Sequence, residues 1–351
     1  MKFKIGNIKF TKGKTVIIAE AGVNHNGSIN IAKRLIDEAK LAGADIIKFQ
    51  TYKAEELTIK KSPRFWNWEG EKNKSGSQYD SYSILDKFDL KEYKILSEYC
   101  KKKNIEFLST AFDFNSVNIL ESLNVKGYKI ASCDLTNIPL IRYIAKTKKP
   151  ILLSTGASNI QEIKLAMKNI NHFHNNVLIM HCTLCYPTKP EDANLSAILD
   201  IQKNFPKNLV GLSDHTLGVD IPVSSVALGV SAIEKHFTVD KRLKKSADHW
   251  LSVNPKELKE IVEKTKIINQ ALGHNYKIKK VLKCELKTRK LARRSVVFSR
   301  DLSKNHKIKL DDLAYKRPGT GLPTEKINLI LGKKTKKKFL KDHLVSLSDL
   351  S

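Results

Sequence analysis

The sequence has no run of about 18 apolar residues, so no segment is expected to span a membrane. Its first fourteen residues lack the apolar segment and the small-residue cleavage site of a secretion signal, and we expect no export. The cysteines number only five, and an odd count argues against a disulfide framework. Free thiols in a reducing cytoplasm are therefore expected.

Acidic residues are scarce: 36 Asp and Glu stand against 63 Lys and Arg, for a formal net charge of +27. So large a positive charge raises the question of nucleic-acid binding. The basic residues are mostly Lys dispersed along the chain, without an aromatic-interleaved basic ribbon or zinc-finger spacing. We therefore expect no nucleic-acid or membrane partner, but a surface that attracts small anions.

Short apolar, β-branched runs alternate with amphipathic stretches over the first 270 residues. Such runs are typical of parallel strands that are buried on both faces. Eight strand-then-helix units predict an α/β fold, a (β/α)8 TIM barrel, with a doubly wound open sheet as the alternative. The predicted strands are Thr15–Gly22, Asp45–Thr51, Ile105–Phe112, Tyr128–Ser132, Pro150–Thr155, Val177–Thr183, Leu209–His215 and Ala232–Thr238.

Several predicted helices carry start signals. Apolar residues four apart follow Ser28, and Ser158 with Gln161 has the spacing of a capping box. Pro255 suits the first position of a last helix that continues to Leu272. The pattern breaks there, which predicts a catalytic barrel over residues 1–272.

The rest of the chain predicts a second domain. Residues 273–290 are Lys-rich and polar, as in a linker, and residues 291–351 contain the short alternating runs of a small β-rich domain. Within the barrel, Thr51 to Asp89 is long and poor in periodicity. A loop of that length after the second strand is expected at the catalytic end, with a functional role.

Two lysines lie inside predicted strands. Lys48 and Lys129 would cost several kcal/mol when buried unless each meets an anion. One interpretation is a structural ion pair with a buried carboxylate such as Glu20. The other, which the strand-end hydroxyls favour, is a binding site for an anionic ligand at the rim of the barrel.

Hydroxyl residues recur at the ends of the same strands, and they outline a ring of donors around one mouth. No Walker-type phosphate loop is present, so a small phosphorylated acid is a better candidate than a nucleotide. The hydroxyl residues are Ser109, Thr110, Ser132, Ser154, Thr155 and Ser213.

His215 and His236 end the seventh and eighth strands. Adjacent barrel strands can bring two imidazoles onto one divalent metal with open positions for a substrate, or the two residues are satisfied core histidines. Asp214 and Glu234 either orient these histidines or pair with lysines such as Lys235. The Cys-x-x-Cys pair at 182–185 stands alone at a strand end, which favours packing over redox or zinc chemistry.

Taken in order, these motifs resemble those of the sialic acid synthase family, which includes legionaminic and pseudaminic acid synthases. The resemblance covers nearly the whole chain, and the tail at 316–321 is similar to the family's antifreeze-like (SAF) domain. The matching strings are Ile-Ala-Glu-Ala-Gly-Val-Asn-His-Asn-Gly at 18–27, Lys-Phe-Gln-Thr at 48–51, Ser-Thr-Ala-Phe-Asp at 109–113, Tyr-Lys-Ile-Ala-Ser at 128–132, Leu-Ser-Thr-Gly at 153–156, His-Cys-Thr at 181–183, Tyr-Pro-Thr at 186–188, Gly-Leu-Ser-Asp-His-Thr at 211–216, Glu-Lys-His-Phe-Thr at 234–238 and Lys-Arg-Pro-Gly-Thr-Gly at 316–321.

The resemblance implies a cofactor, two substrates and a partner. A divalent metal, Mn²⁺ or else Mg²⁺ or Co²⁺, would bind His215 and His236, and Arg317 would reach the partner subunit's active site in a domain-swapped homodimer. Phosphoenolpyruvate would meet Lys48, Thr110, Lys129, Ser132, Ser154 and Ser213. The sugar or the reacting centre would face Glu20, Asp134, Tyr186 and Asp248. The resemblance thus gives catalytic roles to Glu20, Asp134, His215 and His236.

The chain departs from the family pattern at two places. Cys133-Asp134 stands where many members have Gly-Glu, so a carboxylate is kept but is shorter by one methylene. Lys-Ser-Ala-Asp-His at 245–249 replaces Pro-Gly-Pro-Asp-His, which leaves the shape of the loop around Asp248 open. We therefore expect an unusual acceptor pocket.

The expected reaction joins phosphoenolpyruvate and water to the open-chain aldehyde of N-acetylmannosamine or of a 2,4-diacetamido-6-deoxyhexose. The products would be a nine-carbon keto sugar acid and phosphate. The alternatives are a phosphoenolpyruvate-dependent synthase of a seven- or eight-carbon keto acid, a metal-dependent aldolase or epimerase, and a non-catalytic protein that binds sugar phosphates or other anions.

Overall fold

A computed structural model describes residues 3–66, 75–273 and 279–351. The chain forms two compact units, Met1–His274 and Asn275–Ser351. Within the described residues, none of the helices combines the length and the apolar character needed to cross a membrane.

The first unit begins with a two-stranded hairpin, and eight parallel strands then close into a barrel. The barrel strands lie side by side in chain order, and the eighth closes against the first. The predicted closed barrel is thus confirmed, and the doubly wound alternative is wrong. The strands are β1 (Phe3–Ile5), β2 (Ile8–Phe10), β3 (Val16–Gly22), β4 (Ile46–Thr51), β5 (Glu106–Ala111), β6 (Tyr128–Ile130), β7 (Ile151–Ser154), β8 (Val177–Cys182), β9 (Leu209–Asp214) and β10 (Ala232–His236).

Helices surround the barrel and pack their apolar faces on its outside. Their ends follow local capping chemistry. Ser28 caps the helix that begins at Ile29, and Gly43 ends it in a left-handed conformation. Asn254 caps the helix that begins at Pro255. The helices of this unit are α1 (Ile29–Ala42), α2 (Ala54–Leu57), α3 (Gln78–Leu85), α4 (Leu90–Lys103), α5 (Phe114–Ser122), α6 (Ile138–Lys146), α7 (Ile160–Asn171), α8 (Ala197–Asn204), α9 (Asp220–Ser225) and α10 (Pro255–Leu272).

One predicted helix start is wrong by one residue. The capping box of α7 is formed by Asn159 and Glu162, not by Ser158 and Gln161. The Ser158 hydroxyl instead donates to the Gly156 carbonyl at 3.1 Å, within the turn that precedes the helix.

Two segments predicted as irregular contain helices. The loop from Thr51 to Asp89 contains α2 and α3, and residues 67–74 of it lie outside the described part. Residues 274–278 of the predicted linker also lie outside it, whereas Leu286–Ala292 forms α11. Local capping explains α3, because Ser77 and Asp80 form a capping box that hydropathy does not reveal.

The hairpin closes the bottom of the barrel. Phe3 and Phe10 meet edge to face at 5.1 Å, and with Ile5 they pack on inward-facing aliphatic residues of the barrel strands. Those strand residues are Val16, Ile18, Ile46, Leu108, Leu152, Leu178, Met180, Leu209 and Ala232. This end of the barrel is therefore a dry, packed core.

The second unit has a core of its own. The strands β11 (Ser295–Phe298) and β12 (Leu313–Lys316) pair antiparallel beside short bridges and turns. Phe298, Phe339 and Ile330 are fully or almost fully buried at its centre. Asp312 is buried here too, and its carboxylate accepts hydrogen bonds from Arg300, the His306 ring and the Lys309 amide.

Candidate active site

The inward-facing rows of the barrel change character toward the carboxyl ends of the strands. Side chains two apart on a strand share a face, so Ile18 is followed inward by Glu20, and Leu108 by Thr110. Glu20 is aligned with Lys48 on the neighbouring strand, and Thr110 with Lys129. The barrel thus stacks a polar layer directly on its aliphatic layers.

Four charged side chains form a buried cluster in this layer. Lys48 Nζ lies 2.7 Å from a Glu20 carboxylate oxygen, and Lys129 Nζ lies 2.9 Å from Glu234 Oε1. Lys48 Nζ is also 3.8 Å from Glu234 Oε1, so the two pairs are joined. The ion pair of Lys48 with Glu20 is the one that the sequence suggested, whereas Lys129 pairs with Glu234.

The two carboxylates differ in their electrostatics. Burial raises the pKa of Glu20 to about 7, although Lys48 opposes the shift. Burial also disfavours ionised Glu234, but Lys129 and Lys48, with hydrogen bonds from Lys129 and Ser213, lower the pKa of Glu234 to about 2. The cluster therefore contains one firmly ionised carboxylate and one that can carry a proton near neutral pH.

Four of the six predicted hydroxyl residues face the same cavity as the cluster. The prediction is wrong for Ser109, which bonds Thr51 at 2.7 Å, and for Thr155, which donates to the Met180 carbonyl at 2.9 Å. Thr110 Oγ1 accepts from Lys48 Nζ at 3.0 Å, and the Ser213 hydroxyl donates to Glu234 Oε1 at 3.0 Å. Ser132 Oγ accepts from the Gly156 amide at 2.9 Å. The buried Ser154 Oγ has no hydrogen-bond partner among the described residues, so it remains available to a ligand.

The two predicted metal ligands lie side by side. The ring centroids of His215 and His236 are 5.3 Å apart, and the His215 ring is 4.1 Å from that of Tyr186. His215 Nδ1–H donates to the Thr183 carbonyl at 2.9 Å, so Nε2 is the ring nitrogen that faces a ligand. Burial acts to lower the pKa of His215, but Cys182 and the hydrogen bond to the Thr183 carbonyl raise it. The Nδ1 atom of His236 is buried and has no hydrogen-bond partner in the described part.

These imidazoles fit a catalytic divalent metal better than a structural one. Burial, with the neighbouring His215 and Lys48, lowers the pKa of His236 well below its usual value, so its ring is neutral and able to bind a metal. Among the described residues no group of three or more His, Cys, Asp or Glu is arranged to hold a metal. Two protein ligands would leave coordination positions for water and substrate.

Twelve of the thirteen predicted site residues line a single cavity of about 550 Å³. The exception is Arg317, which lies in the second unit just after β12. The twelve are Glu20, Lys48, Thr110, Lys129, Ser132, Asp134, Ser154, Tyr186, Ser213, His215, His236 and Asp248.

Both departures from the family pattern border this cavity. Asp134 is buried and accepts a hydrogen bond from Asn137 at 3.1 Å, while Cys133 beside it is exposed. One carboxylate oxygen of Asp248 lies 3.5 Å from His236 Nδ1, and burial raises the pKa of Asp248 to about 6 despite His215 and Lys48. The loop without the prolines thus still brings its carboxylate to the histidines.

An apolar wall lines part of the cavity. We define it as Tyr52, Trp66, Tyr82, Leu85 and Phe112, all of which line the cavity. The Tyr52 and Tyr82 rings meet edge to face at 5.6 Å, and the Trp66 ring lies 5.7 Å from that of Tyr82. Most of this wall comes from the segment after β4, within the Thr51 to Asp89 stretch that was predicted to be a functional loop.

Gln50, Glu234 and Cys182 also line the cavity, although none of them was among the predicted catalytic, substrate-binding or metal-binding residues. Gln50 donates to Glu20 Oε1 at 3.0 Å, and its position two residues after Lys48 is a signal that strand alternation offers. Glu234 is the direct partner of Lys129, whereas Asp214 pairs with Lys235, as one of the alternatives proposed. Cys182 is 3.8 Å from His215 Nδ1, a contact that only the folded chain reveals.

Comparison with known proteins places this geometry in a family. Residues 35–277 match the model described as NeuB family, and residues 293–351 match that of the SAF domain. The chain is 40% identical to the N,N'-diacetyllegionaminic acid synthase of Legionella pneumophila over 94% of this chain and 93% of the relative.

Two other relatives agree. The pseudaminic acid synthase of Helicobacter pylori is 32% identical over 93% of this chain and 94% of its own. The crystal structure of the N-acetylneuraminic acid synthetase of Leptospira borgpetersenii, solved with citrate, superposes with a TM-score of 0.72 at 37% identity, covering 82% of this chain and 95% of that one. The chain therefore is an enzyme of the NeuB family that carries a SAF domain at its C-terminal end.

Proposed function

We propose that the enzyme condenses phosphoenolpyruvate with the open-chain aldehyde of an N-acylated amino sugar and with water, giving a nine-carbon 2-keto-3-deoxy sugar acid and phosphate. The observation that carries the proposal is the four-charge cluster beside two imidazoles in one cavity. The names of the relatives support the same reaction class.

The four-charge cluster suits an anionic substrate. With both carboxylates ionised, the two lysines are neutralised and a buried anion would gain little. A proton on Glu20, whose pKa is raised to about 7, leaves Lys48 free to face the anion. Lys129 stays fixed by Glu234, and the Ser154 hydroxyl adds a donor. We assign phosphoenolpyruvate to these groups, which position it and hold its charge.

We propose that His215 and His236 hold a divalent metal, Mn²⁺ before Mg²⁺ or Co²⁺. When bound, it supplies Lewis-acid polarisation of the sugar's carbonyl. Removing the metal with a chelator and restoring each ion separately tests this assignment. Unchanged turnover in the stripped protein would contradict it.

The chemistry requires three proton movements near these residues. A bond forms between C3 of phosphoenolpyruvate and the aldehyde carbon, whose oxygen takes up a proton. Water then adds at C2 and loses a proton. As the C2–O bond to phosphate breaks, the C2 hydroxyl forms the keto C=O bond and its proton leaves with the phosphate. Glu20 can give the first proton and recover one from water, because its pKa lies near neutrality. Asp134 is the alternative base.

The apolar wall favours an acceptor with a deoxygenated, acylated far end. A hydroxyl held against Leu85 and Phe112 would lose its hydration without a partner, whereas each buried methyl gains about 0.8 kcal/mol. A 2,4-diacetamido-2,4,6-trideoxyhexose has such methyl groups, and N-acetylmannosamine has a 6-hydroxyl instead. The similarity to a diacetyllegionaminic acid synthase points the same way.

Phosphate release tests the proposal against its alternatives. With phosphoenolpyruvate, we expect kcat/KM for the diacetamido sugar to exceed that for N-acetylmannosamine at least tenfold, and Tyr82→Ser to narrow that ratio. A preference for a phosphorylated pentose would indicate an eight-carbon synthase. Turnover of pyruvate would indicate an aldolase, and no turnover of any acceptor a binding protein.

A homodimer in which Arg317 serves the partner's cavity is a further proposal, drawn from the family resemblance. Mixing the Arg317→Ala and His215→Ala proteins tests it. If Arg317 acts on the other subunit, mixed dimers contain one intact cavity and regain activity that neither variant has alone. Mixtures as inactive as their components would contradict it. A cytoplasmic location likewise stays a prediction.

A further inference from the structure

The Asn24-His25-Asn26 segment has no role in the reaction described above, although all three side chains are polar and two of them are buried. Asn24 and His25 are 0% and 1% exposed. They follow β3, which pairs with β10 where the barrel closes, and the segment after β10 carries Asp248. Two cavity-bordering segments from opposite ends of the barrel sequence therefore lie next to each other.

Asn24 joins the two segments through its side-chain amide. Its Nδ2 donates to the Phe237 carbonyl at 2.9 Å and to Ser252 Oγ at 3.1 Å. The Ser252 hydroxyl in turn donates to the Asp248 carbonyl at 2.6 Å, and the Ser252 amide donates to the same carbonyl at 3.1 Å. A chain of buried hydrogen bonds thus ends on the backbone of Asp248.

His249 makes the second connection. Its Nε2–H donates to Asn26 Oδ1 at 2.9 Å, and its Nδ1 accepts from the Thr238 hydroxyl at 2.8 Å. These partners fix one tautomer, and burial lowers the pKa of His249 to about 4, so the ring stays neutral. Because His249 and Thr238 are both 0% exposed, each would be costly to leave without its partner.

The segment held in this way borders the acceptor side of the cavity. Asp248, Trp250 and Leu251 all line it, and Asp248 reaches to 3.5 Å from His236 Nδ1. This is also the segment in which Lys-Ser-Ala replaces the prolines of the family pattern. The Ser246 hydroxyl supplies a local restraint there, since it accepts from the Asp248 amide at 3.2 Å.

We propose that Asn24, Asn26 and His249 are positioning residues for the acceptor sugar: their hydrogen bonds hold in place the segment that carries Asp248. The inference rests on the proposed function, because it takes Asp248 as a contact of the acceptor. A purely architectural role would instead make these residues necessary for closing the barrel and irrelevant to one substrate over the other.

Asn26 offers a matched pair of variants. Its backbone is left-handed, with φ at 54°, a conformation that glycine adopts without strain. Asn26→Gly therefore removes the acceptor of the His249 hydrogen bond while keeping the turn, and Asn26→Asp retains that acceptor. Ser252→Ala independently breaks the other connection, the one through Asn24.

We expect Asn26→Gly and Ser252→Ala to raise KM for the amino-sugar acceptor at least tenfold, with KM for phosphoenolpyruvate within twofold of wild type. Asn26→Asp should restore most of the loss. Equal rises in both KM values, or no rise in either, would overturn the proposal. A melting temperature close to that of wild type would show that the barrel remains closed.

Hydrogen exchange separates this inference from the proposed reaction. Amides of residues 246–252 should lose protection in Asn26→Gly and keep it in Asn26→Asp, whether or not any acceptor is turned over. Unchanged protection in Asn26→Gly would overturn the inference alone. Absence of phosphate release from the wild-type protein with every acceptor would instead overturn the proposed function.

Discussion

The same strands form both ends of the barrel interior, yet one end is a packed apolar core and the other lines the cavity. At the bottom, Ile18, Leu108 and Leu152 meet the hairpin in a dry core. Two residues further along each strand, Glu20, Thr110 and Ser154 face the cavity. One step of the strand repeat therefore separates residues that hold the barrel together from residues that can do chemistry.

This difference predicts which property, stability or catalysis, each kind of substitution should change. Removing an apolar group from the bottom leaves a void and reduces stability, with little effect on a site above it. Removing a polar group from the top unbalances a buried cluster and alters catalysis, with or without a loss of stability. The four experiments below test this separation, beginning with the largest effect.

Loss of one imidazole should affect activity almost alone. We expect His215→Ala to lower kcat about a thousandfold or more, since several kcal/mol of Lewis-acid assistance are lost and each 1.4 kcal/mol is about tenfold. Its melting temperature should stay within about 3 °C of wild type. The exposed His172 provides the matched control, because His172→Ala should change neither quantity. Mn²⁺ affinity, measured by electron paramagnetic resonance, should fall only in His215→Ala.

A substitution in the four-charge cluster should change both the stability and the activity of the protein. Glu234→Leu leaves Lys129 buried without its partner, and we expect the free energy of unfolding in urea to fall by about 3–5 kcal/mol. Adding Lys129→Met should recover most of that stability without recovering activity. If the double variant remains as unstable as the single one, the ion pair is not the source of the loss.

A substitution in the hairpin should reduce the stability of the protein and leave its activity almost unchanged. Phe10 is fully buried against Phe3, and Phe10→Ala should reduce the free energy of unfolding by about 3 kcal/mol. Turnover at a temperature where the protein stays folded should remain within twofold of wild type. Phe10→Leu, which conserves most of the volume, should cost under about 1.5 kcal/mol. A large fall in kcat would mean that the two ends are not independent.

The C-terminal unit extends the comparison to a buried charge with a structural role. Burial opposes ionisation of Asp312, but hydrogen bonds from the Lys309 amide, His306 and Arg300 lower the pKa of Asp312 from 3.8 to about 2. The folded state therefore binds this proton more weakly than the unfolded state. The resulting stability is complete above pH 3.8 and is lost as the pH falls towards 2.

Hydrogen exchange in residues 293–351 measures this effect. Wild-type protection should decrease over that acid range, whereas Asp312→Asn should lack this contribution and be less stable at neutral pH by about 1–3 kcal/mol. Asp311→Asn, at an exposed neighbouring carboxylate, is the control. An acid decrease that persists unchanged in Asp312→Asn would assign it to other groups.

The fold was predictable because each barrel strand has a recognisable local sequence pattern. All eight predicted strands are present, displaced by no more than two residues at an end, since β-branched runs bounded by polar residues need no distant partner to be recognised. The two-stranded hairpin was not predicted, because three-residue strands are too short to show a period. The Ser158 capping prediction failed because Ser and Asn compete for one role within a single turn.

The site was predictable as a set of residues rather than as a network. Strand position placed Lys48 and Lys129 at one rim, and the family motifs added Asp248 and Tyr186, all of which line the cavity. The partners could not be read from the sequence. Lys129 meets Glu234 from 105 positions away, and Asn24 meets Ser252 from 228.

Residue periodicity and strand-end chemistry in the sequence determined the barrel, the end of it that carries polar groups, and the residue types offered to a ligand. Only the tertiary structure decided which carboxylate each lysine meets, which of the two holds a proton near neutral pH, and how the Asp248 segment is restrained. The physical reason is that periodicity is set by bonds along the chain, whereas ion pairing and desolvation depend on atoms that barrel closure brings together.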